Sequence, residues 1–183
     1  IELLSSQVER CNQILKKLSL NPNEEDDFID EDLSMRDYLK EIILSFKETS
    51  KKNFIFNFEQ DSNPRKITKS IEVVYGLRNF IGNANKFSSD KIFITLKSDN
   101  TNTEVTIEDN GEGYPSEILS KIGEPYLTKI NKTNKNKSGL GLGIFIGKTL
   151  LEKNFALLNC KNSKTRSGAE VVIKWKNKDL FNI

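Results

Sequence analysis

Apolar residues recur along this chain at two periods, and the switches between them divide it into elements. Ile1, Leu4, Val8, Cys11, Leu15 and Leu18 follow spacings of 3, 4, 3, 4 and 3, the heptad pattern of a helix with one apolar seam. Glu2, Gln7, Glu9, Arg10, Asn12, Lys16 and Lys17 fall on its other faces. So short a heptad run is marginal alone, so the seam needs a partner: a second helix of a bundle or dimer, or the body of its own domain. Asn21-Pro22-Asn23 ends this helix. From Glu24 to Asp32 acids dominate, which predicts a solvated linker over 21–33 and a domain boundary.

Ser34, with Asp37 three residues on, resembles a helix start, and Met35, Leu39, Ile42, Ile43 and Phe46 give one apolar face to a helix reaching about Ser50. Phe54, Phe56 and Phe58 alternate with polar residues, which predicts a strand over 53–59. A long helix is expected over 66–87, with Ile71, Val74, Leu77, Ile81 and Ala84 on its buried face. Ile92, Ile94 and Leu96 mark a second strand, and Asn100 to Asn102 a turn. Val105 and Ile107 mark a third strand that runs into Asp109-Asn110-Gly111. A short helix near 116–121 precedes a polar, lysine-rich stretch over 127–138. The helix starting near Gly141 carries Ile144, Phe145, Leu150 and Leu151. Two closing strands, near 155–161 and 169–176, are joined by a turn containing Ser167-Gly168. Helices alternating with strand pairs predict an α+β fold: a two-layer sandwich with helices on one face of a mixed sheet and the other face open to solvent.

Composition removes whole classes of chemistry. The 183 residues carry a net charge of +2, so no whole-molecule field marks a nucleic-acid or membrane binder. No run reaches the roughly 18 apolar residues of a membrane span, and no signal peptide is visible. The chain begins at Ile1, so we expect a fragment of a longer protein, in which membrane segments have room. Its two cysteines, Cys11 and Cys160, are too few for a disulfide framework, and histidine is absent. Reduced, cytoplasmic chemistry is the default. Without histidine there are no serine–histidine triads, no histidine bases and few metal-ligand sets, which leaves carboxylates, amides, lysines and glycines.

Three segments gather those groups. In Asn79-Phe80-Ile81-Gly82-Asn83-Ala84-Asn85-Lys86-Phe87, Asn79 and Asn83 are four apart and share a helix face, which Lys86 can join. A carboxamide oxygen suits Mg²⁺, and a lysine beside it suits phosphate. Alone, the same pattern is the polar stripe of an amphipathic helix. In Glu108-Asp109-Asn110-Gly111-Glu112-Gly113-Tyr114-Pro115, an aspartate at a strand end precedes glycines two and four residues later. It offers a fixed acceptor for an exocyclic amine and a backbone that approaches a flat ligand, or simply a tight turn. In Lys137-Ser138-Gly139-Leu140-Gly141-Leu142-Gly143-Ile144, alternating glycines open a helix whose free amides suit phosphate, or allow close helix–sheet packing. It is neither a dinucleotide-fold glycine motif nor a P-loop. Lys129, Lys132, Lys135 and Lys137 precede it without an intervening acid, a run that also fits a plain solvated loop.

Taken together, and in this order, the segments resemble the N, G1 and G2 boxes of the GHKL ATPase superfamily, which includes gyrase B, Hsp90, MutL and histidine kinases, across roughly 34–176. The resemblance implies the Bergerat ATP-binding fold, with ATP and Mg²⁺ as ligands. Asn83 then holds Mg²⁺, Lys86 meets phosphate, Asp109 reads adenine, and Gly111 and Gly113 shape the base pocket. Gly139, Gly141 and Gly143 hinge a lid and approach the phosphates, and the whole run including Lys137, Ser138, Leu140 and Leu142 borders the nucleotide. Glu124-Pro125-Tyr126 stands where kinases have an F box, with Tyr126 in place of the usual phenylalanine. Lys137 stands where many kinases have the first G2 glycine.

Asn79 decides the branch. Gyrase-like members have a glutamate there as general base for water, and asparagine takes no proton at neutral pH. A phosphotransferase to a neutral imidazole needs no such base. The rival expectations are a hydrolytic ATPase of the gyrase, Hsp90 or MutL type and a non-catalytic interaction module.

A narrower resemblance rests on Gln7-Val8-Glu9-Arg10-Cys11-Asn12-Gln13-Ile14-Leu15, Ile122-Gly123-Glu124-Pro125-Tyr126 and Gly139-Leu140-Gly141-Leu142-Gly143-Ile144-Phe145-Ile146. These are similar to the RegB/PrrB/ActS family of redox-responsive histidine kinases. That implies residues 1–20 as the second helix of a dimerisation and phosphotransfer hairpin, 21–33 as linker and 34–183 as catalytic domain. The acceptor histidine would precede Ile1. It further implies a homodimer, a response regulator as partner, a cytoplasmic domain of an inner-membrane sensor, and a redox role for Cys11. On its own physics, Cys11 is equally a small seam residue, and Cys160 reads as structural.

Overall fold

A computed structural model describes residues 34–59, 70–124 and 142–180. The heptad helix and acidic linker lie outside these residues. Helix α1 (Met35–Lys47) begins where Ser34 and Asp37 cap each other: the Asp37 amide donates to Ser34 Oγ at 3.3 Å, and the Ser34 hydroxyl donates to Asp37 Oδ2 at 2.6 Å. That hydroxyl is the main reason the Asp37 carboxyl titrates below its usual range. The helix ends before the expected Ser50, whose hydroxyl turns instead to Asn85 Oδ1 at 2.7 Å.

Strand β1 (Asn53–Phe58) is followed by helix α2 (Ile71–Phe87), β2 (Lys91–Ser98), β3 (Asn102–Asp109) and a single turn of helix, α3 (Ser116–Leu119). Helix α4 (Gly143–Lys153), β4 (Leu157–Asn162), β5 (Ala169–Lys176) and a last turn, α5 (Asn177–Leu180), complete the order. The α2 helix starts at Ile71 rather than near 66, because Ser70 is extended and its side chain caps the Val73 amide at 3.3 Å. Ile71, expected inside, is exposed, and the buried face runs through Val73, Gly76, Leu77, Phe80, Ile81 and Ala84. Strand β4 starts two residues late because Phe155 holds φ 61 in the turn after α4.

The five strands lie in the order β1-β2-β3-β5-β4, with β1 and β2 parallel and the other pairs antiparallel. Strand alternation then decides which residues meet the helices. Register aligns Phe56, Ile94, Ile107, Val171 and Cys160 in one row across all five strands. Asp109 has the parity of Val105 and Ile107, so it too faces inward, opposite Ile92 at the strand end. The expected two-layer α+β arrangement is therefore present, and its geometry places one carboxylate at the rim of an apolar layer.

Helices α2 and α4 approach closely because glycines line their crossing. A Cβ on Gly76 would come 2.5 Å from Leu151 Cγ, and one on Gly147 would come 3.0 Å from Asn79 Cβ. Ser70, at the start of α2, also donates to Asn154 Oδ1 just beyond α4 at 3.0 Å, so the pair is pinned at that end too.

Candidate functional site

The α2 helix carries Asn79, Asn83 and Phe87 four residues apart, about 6 Å per step along its axis. Each meets one of the other two glycine segments. Gly143, the first residue of α4, faces the two amides: a Cβ there would lie 3.6 Å from Asn79 Oδ1 and 3.6 Å from Asn83 Nδ2. Asn79 donates to the Tyr75 carbonyl at 2.9 Å, which fixes its amide. Asn83 Nδ2 is buried with no hydrogen-bond partner among the described residues. A buried amide of this kind needs a partner to offset its desolvation. Lys86 is half-buried, with its ammonium 5.3 Å from the Phe87 ring centroid.

The second segment sits at the end of the same helix. Gly111 lies so close to the Phe87 carbonyl that a side chain there would overlap it. Asn110 closes this contact from outside, its Oδ1 accepting the Asp90 and Lys91 amides at 3.1 and 3.0 Å. Gly113 takes φ 73 beside Asn162, a conformation that favours glycine. Asn162 brackets the next residue, accepting the Tyr114 amide at 2.7 Å and donating to the Tyr114 carbonyl at 2.9 Å. The 109–114 turn is thus held at both ends.

Asp109 is 3% exposed, and both of its backbone donors converge on Oδ1: Gly111 N at 2.8 Å and Ala169 N at 3.3 Å. Neither of these two amides is on Oδ2. Burial pushes the carboxyl's pKa up, against the two amides and the charge of Lys52. The Lys52 ammonium itself is tied to the Ser88 carbonyl at 2.6 Å, behind the Phe87–Gly111 contact. Tyr114 and Cys160 share the inner wall; burial raises both, the thiol to about 11.

The structure thus sets Asn79 and Asn83 against Gly143, and holds Asp109, Gly111 and Gly113 in one turn that meets the end of the same helix at Phe87. Lys86 follows on the same helix, and Leu142 stands at the N-cap of α4, its carbonyl accepting Ile146 N at 2.8 Å. Tyr126, Lys137, Ser138, Gly139, Leu140, Gly141 and Cys11 lie outside the described residues. Sequence reasoning missed Asn162, Lys52 and the Gly168-Ala169 backbone. The turn glycine at 168 was the one available signal, and it did not say which strand end the turn would meet.

Residues 68–179 match the family model described as histidine kinase-, DNA gyrase B-, and HSP90-like ATPase. The chain is 30% identical over 193 aligned positions to sensor histidine kinase RegB of Cereibacter sphaeroides, covering 95% of this chain and 41% of that protein. It is 25% identical to sporulation kinase A of Bacillus subtilis, covering 86% of this chain and 26% of that protein. The chain therefore spans less than half the length of these relatives. Among solved structures, it resembles the mycobacterial sensor histidine kinase MprB (TM-score 0.65, 18% identity, 81% of this chain and 97% of that one). It also resembles the catalytic domain of histidine kinase ThkA (TM-score 0.64, 23% identity, 79% and 95%). The likeness to these structures is one of fold.

Proposed function

The chain belongs to the histidine kinase-, DNA gyrase B-, and HSP90-like ATPase family, and from that membership we propose that it is the ATP-binding catalytic module of a two-component sensor histidine kinase. The observation that carries the choice within the family is the pair of amides, Asn79 and Asn83, turned toward the first residue of α4. A hydrolase needs a base at such a position to activate water, and an amide supplies none. Transfer to a neutral imidazole needs mainly positioning and charge neutralisation.

In this reading Asp109 accepts the exocyclic amine of adenine through Oδ2, and the close-packed backbone at Gly111 and Gly113 lets the base lie flat. Asn83 supplies its amide oxygen to Mg²⁺, and its unpartnered Nδ2 fits a phosphate oxygen. Bound there, Mg²⁺ neutralises charge on the phosphates. Lys86 adds positive charge, and Asn79, held by Tyr75, keeps the surface neutral where the γ-phosphoryl is presented. Lys137, Ser138, Gly139, Leu140, Gly141, Leu142 and Gly143 form the lid, and Tyr126 flanks the base.

The chain contains no histidine, so the phosphoacceptor belongs to another part of the parent protein. From that histidine the phosphoryl passes to an aspartate of a response regulator. Residues 1–20 serve as the second helix of the dimerisation hairpin, 21–33 as linker and 34–183 as the catalytic domain of a homodimeric inner-membrane sensor. Similarity to RegB supports redox control, with Cys11 as the responsive thiol.

Calorimetry with a non-hydrolysable ATP analogue and Mg²⁺ tests the core of this reading. Wild type should bind, and Asp109→Asn should lose most of the affinity. Absence of wild-type binding would overturn it and leave an interaction module. Steady-state hydrolysis at a substantial rate would favour the hydrolytic branch instead.

A further inference from the structure

The β4–β5 loop grips the end of β3 from both faces of the sheet. Consecutive strand residues point to opposite sides, so Glu108 faces outward while Asp109 faces the helices. On the outer face, Glu108 Oε1 accepts the Ser163 hydroxyl at 2.8 Å, and Oε2 accepts Arg166 Nε at 3.1 Å. The Arg166 guanidinium also lies 3.6 Å from the centroid of Phe93, the residue paired with Glu108 across β2–β3. Ser163 braces the loop from within: its Oγ accepts Arg166 N at 3.1 Å, and its amide donates to the Gly168 carbonyl at 2.8 Å.

The loop then turns inward. Ser167 holds φ 65, and the next residue, Gly168, lies so close to the carbonyl and carboxylate of Asp109 that no side chain fits. Ala169 N follows as one of the two amides on Asp109 Oδ1. The outer grip and the inner contact are therefore two ends of one six-residue segment, 163–168, with its exit at Ala169.

We propose that Glu108 and Arg166 are positioning residues for base selectivity. By clamping the loop on the outer face they hold Ala169 N–H on Asp109 Oδ1, which keeps Oδ2 aimed at the exocyclic amine. The inference rests on the nucleotide reading above. With the clamp released, the loop relaxes and takes its amide with it. Asp109 keeps Gly111 N as a donor but can rotate about χ2, so an amine and a carbonyl at the same ring position are told apart less well. Adenine presents an amine there and hypoxanthine a carbonyl, which a fixed carboxylate rejects.

The test compares binding of ATP and ITP analogues, with Mg²⁺, to wild type, Arg166→Met, Glu108→Gln and the exposed loop control Lys164→Ala. Arg166→Met keeps apolar contact with Phe93, and Glu108→Gln keeps shape, so both should fold; thermal melts check this. The expected result is an ATP-to-ITP affinity ratio about tenfold lower in both clamp variants, the loss of roughly one good hydrogen bond to a charged group, with the Lys164→Ala ratio unchanged. A folded variant whose ratio stays at the wild-type value, or which loses ATP and ITP affinity equally, overturns the proposal. If wild type binds neither nucleotide, or binds both alike, the nucleotide reading has failed instead. The clamp is then read from the Asp109 carboxyl titration by carbon-13 NMR, where Lys52 and Tyr114 are the ionisable groups that interact with it among the described residues. Loss of the Ala169 amide should move that titration upward in Arg166→Met, and an unmoved titration overturns the clamp.

Discussion

Gly147 of α4 lies directly on Asn79 of α2: a Cβ at 147 would stand 3.0 Å from Asn79 Cβ, 3.1 Å from Phe80 Cε2 and 3.2 Å from the Gly76 carbonyl. This contact sets how near the first residue of α4 comes to the two amides. Gly147→Ala requires α2 to give by a few tenths of an ångström, and two of the three nearest atoms, Asn79 Cβ and the Gly76 carbonyl oxygen, are fixed by the α2 backbone. We expect a loss of about 1–3 kcal/mol in urea unfolding together with weaker nucleotide binding. Unfolding free energy equal to wild type would mean that the crossing has slack.

Asn83 separates stability from function. Its Nδ2 is buried without a partner among the described residues, so removing the amide relieves a desolvated group as well as deleting contacts. Asn83→Ala should therefore unfold within about 1 kcal/mol of wild type while the Mg²⁺-dependent part of nucleotide affinity disappears. Titrations with and without EDTA check this. Retained Mg²⁺ dependence would move the metal to another ligand.

Asp109 predicts a pH dependence of one sign for binding and the other for stability. Burial raises its folded pKa above the unfolded one, so the ionised form is disfavoured by folding. Its ionisation lowers stability as pH rises through the unfolded and then the folded value. Binding needs the ionised form, so affinity should fall as pH drops through that raised pKa. Asp109→Asn should melt at or above the wild-type temperature near pH 7, at about 2–4 °C per kcal/mol for a domain of this size, while losing nucleotide. A lower melting temperature in the mutant would show that the carboxylate's hydrogen bonds outweigh its burial.

Asp99 has the opposite sign. Its Oδ1 accepts Thr101 N at 2.6 Å, Thr101 Oγ1 at 2.7 Å and Asn102 N at 2.8 Å, and these bonds lower its pKa from 3.8 to about 2. Its contribution is complete above the unfolded value and is lost as pH falls through the folded one. The melting difference between wild type and Asp99→Ala should thus be constant at neutral pH and close between 3.8 and about 2. A pH-independent difference would mean the turn owes nothing to the charge.

The cysteines should differ under oxidant. Burial raises the Cys160 thiol to about 11, so little thiolate exists there at neutral pH. A disulfide-linked dimer band on non-reducing gels should appear in wild type and Cys160→Ser, and vanish in Cys11→Ser. Persistence of the band in Cys11→Ser would transfer the cross-link to Cys160.

Much of the frame was legible because it depends on neighbours in sequence. Alternation of Val105, Ile107 and Asp109 fixes the inward direction of the carboxylate once β3 is a strand, and the four-residue spacing of Asn79 and Asn83 fixes their common helix face. The start of α2 was expected near 66, but Ser70 is extended and accepts the Val73 amide, so the helix begins at Ile71. Local hydrogen bonding overrode periodicity there. The late start of β4 has the same origin, in the φ 61 turn at Phe155.

The sequence by itself therefore determined the order of elements, the faces on which the amides and the carboxylate stand, and the absence of any histidine to accept a phosphoryl group. The tertiary structure decided which groups meet: Gly143 against Asn79 and Asn83, Gly111 against the Phe87 carbonyl, and the loop at Gly168 against Asp109, some 60 residues away in the chain. Helix and strand periods follow from the rotation per residue, which every residue carries with it. Contacts between distant segments follow from strand register and from how closely glycine lets two backbones approach, and these are fixed only when the sheet has paired and the helices have packed on it.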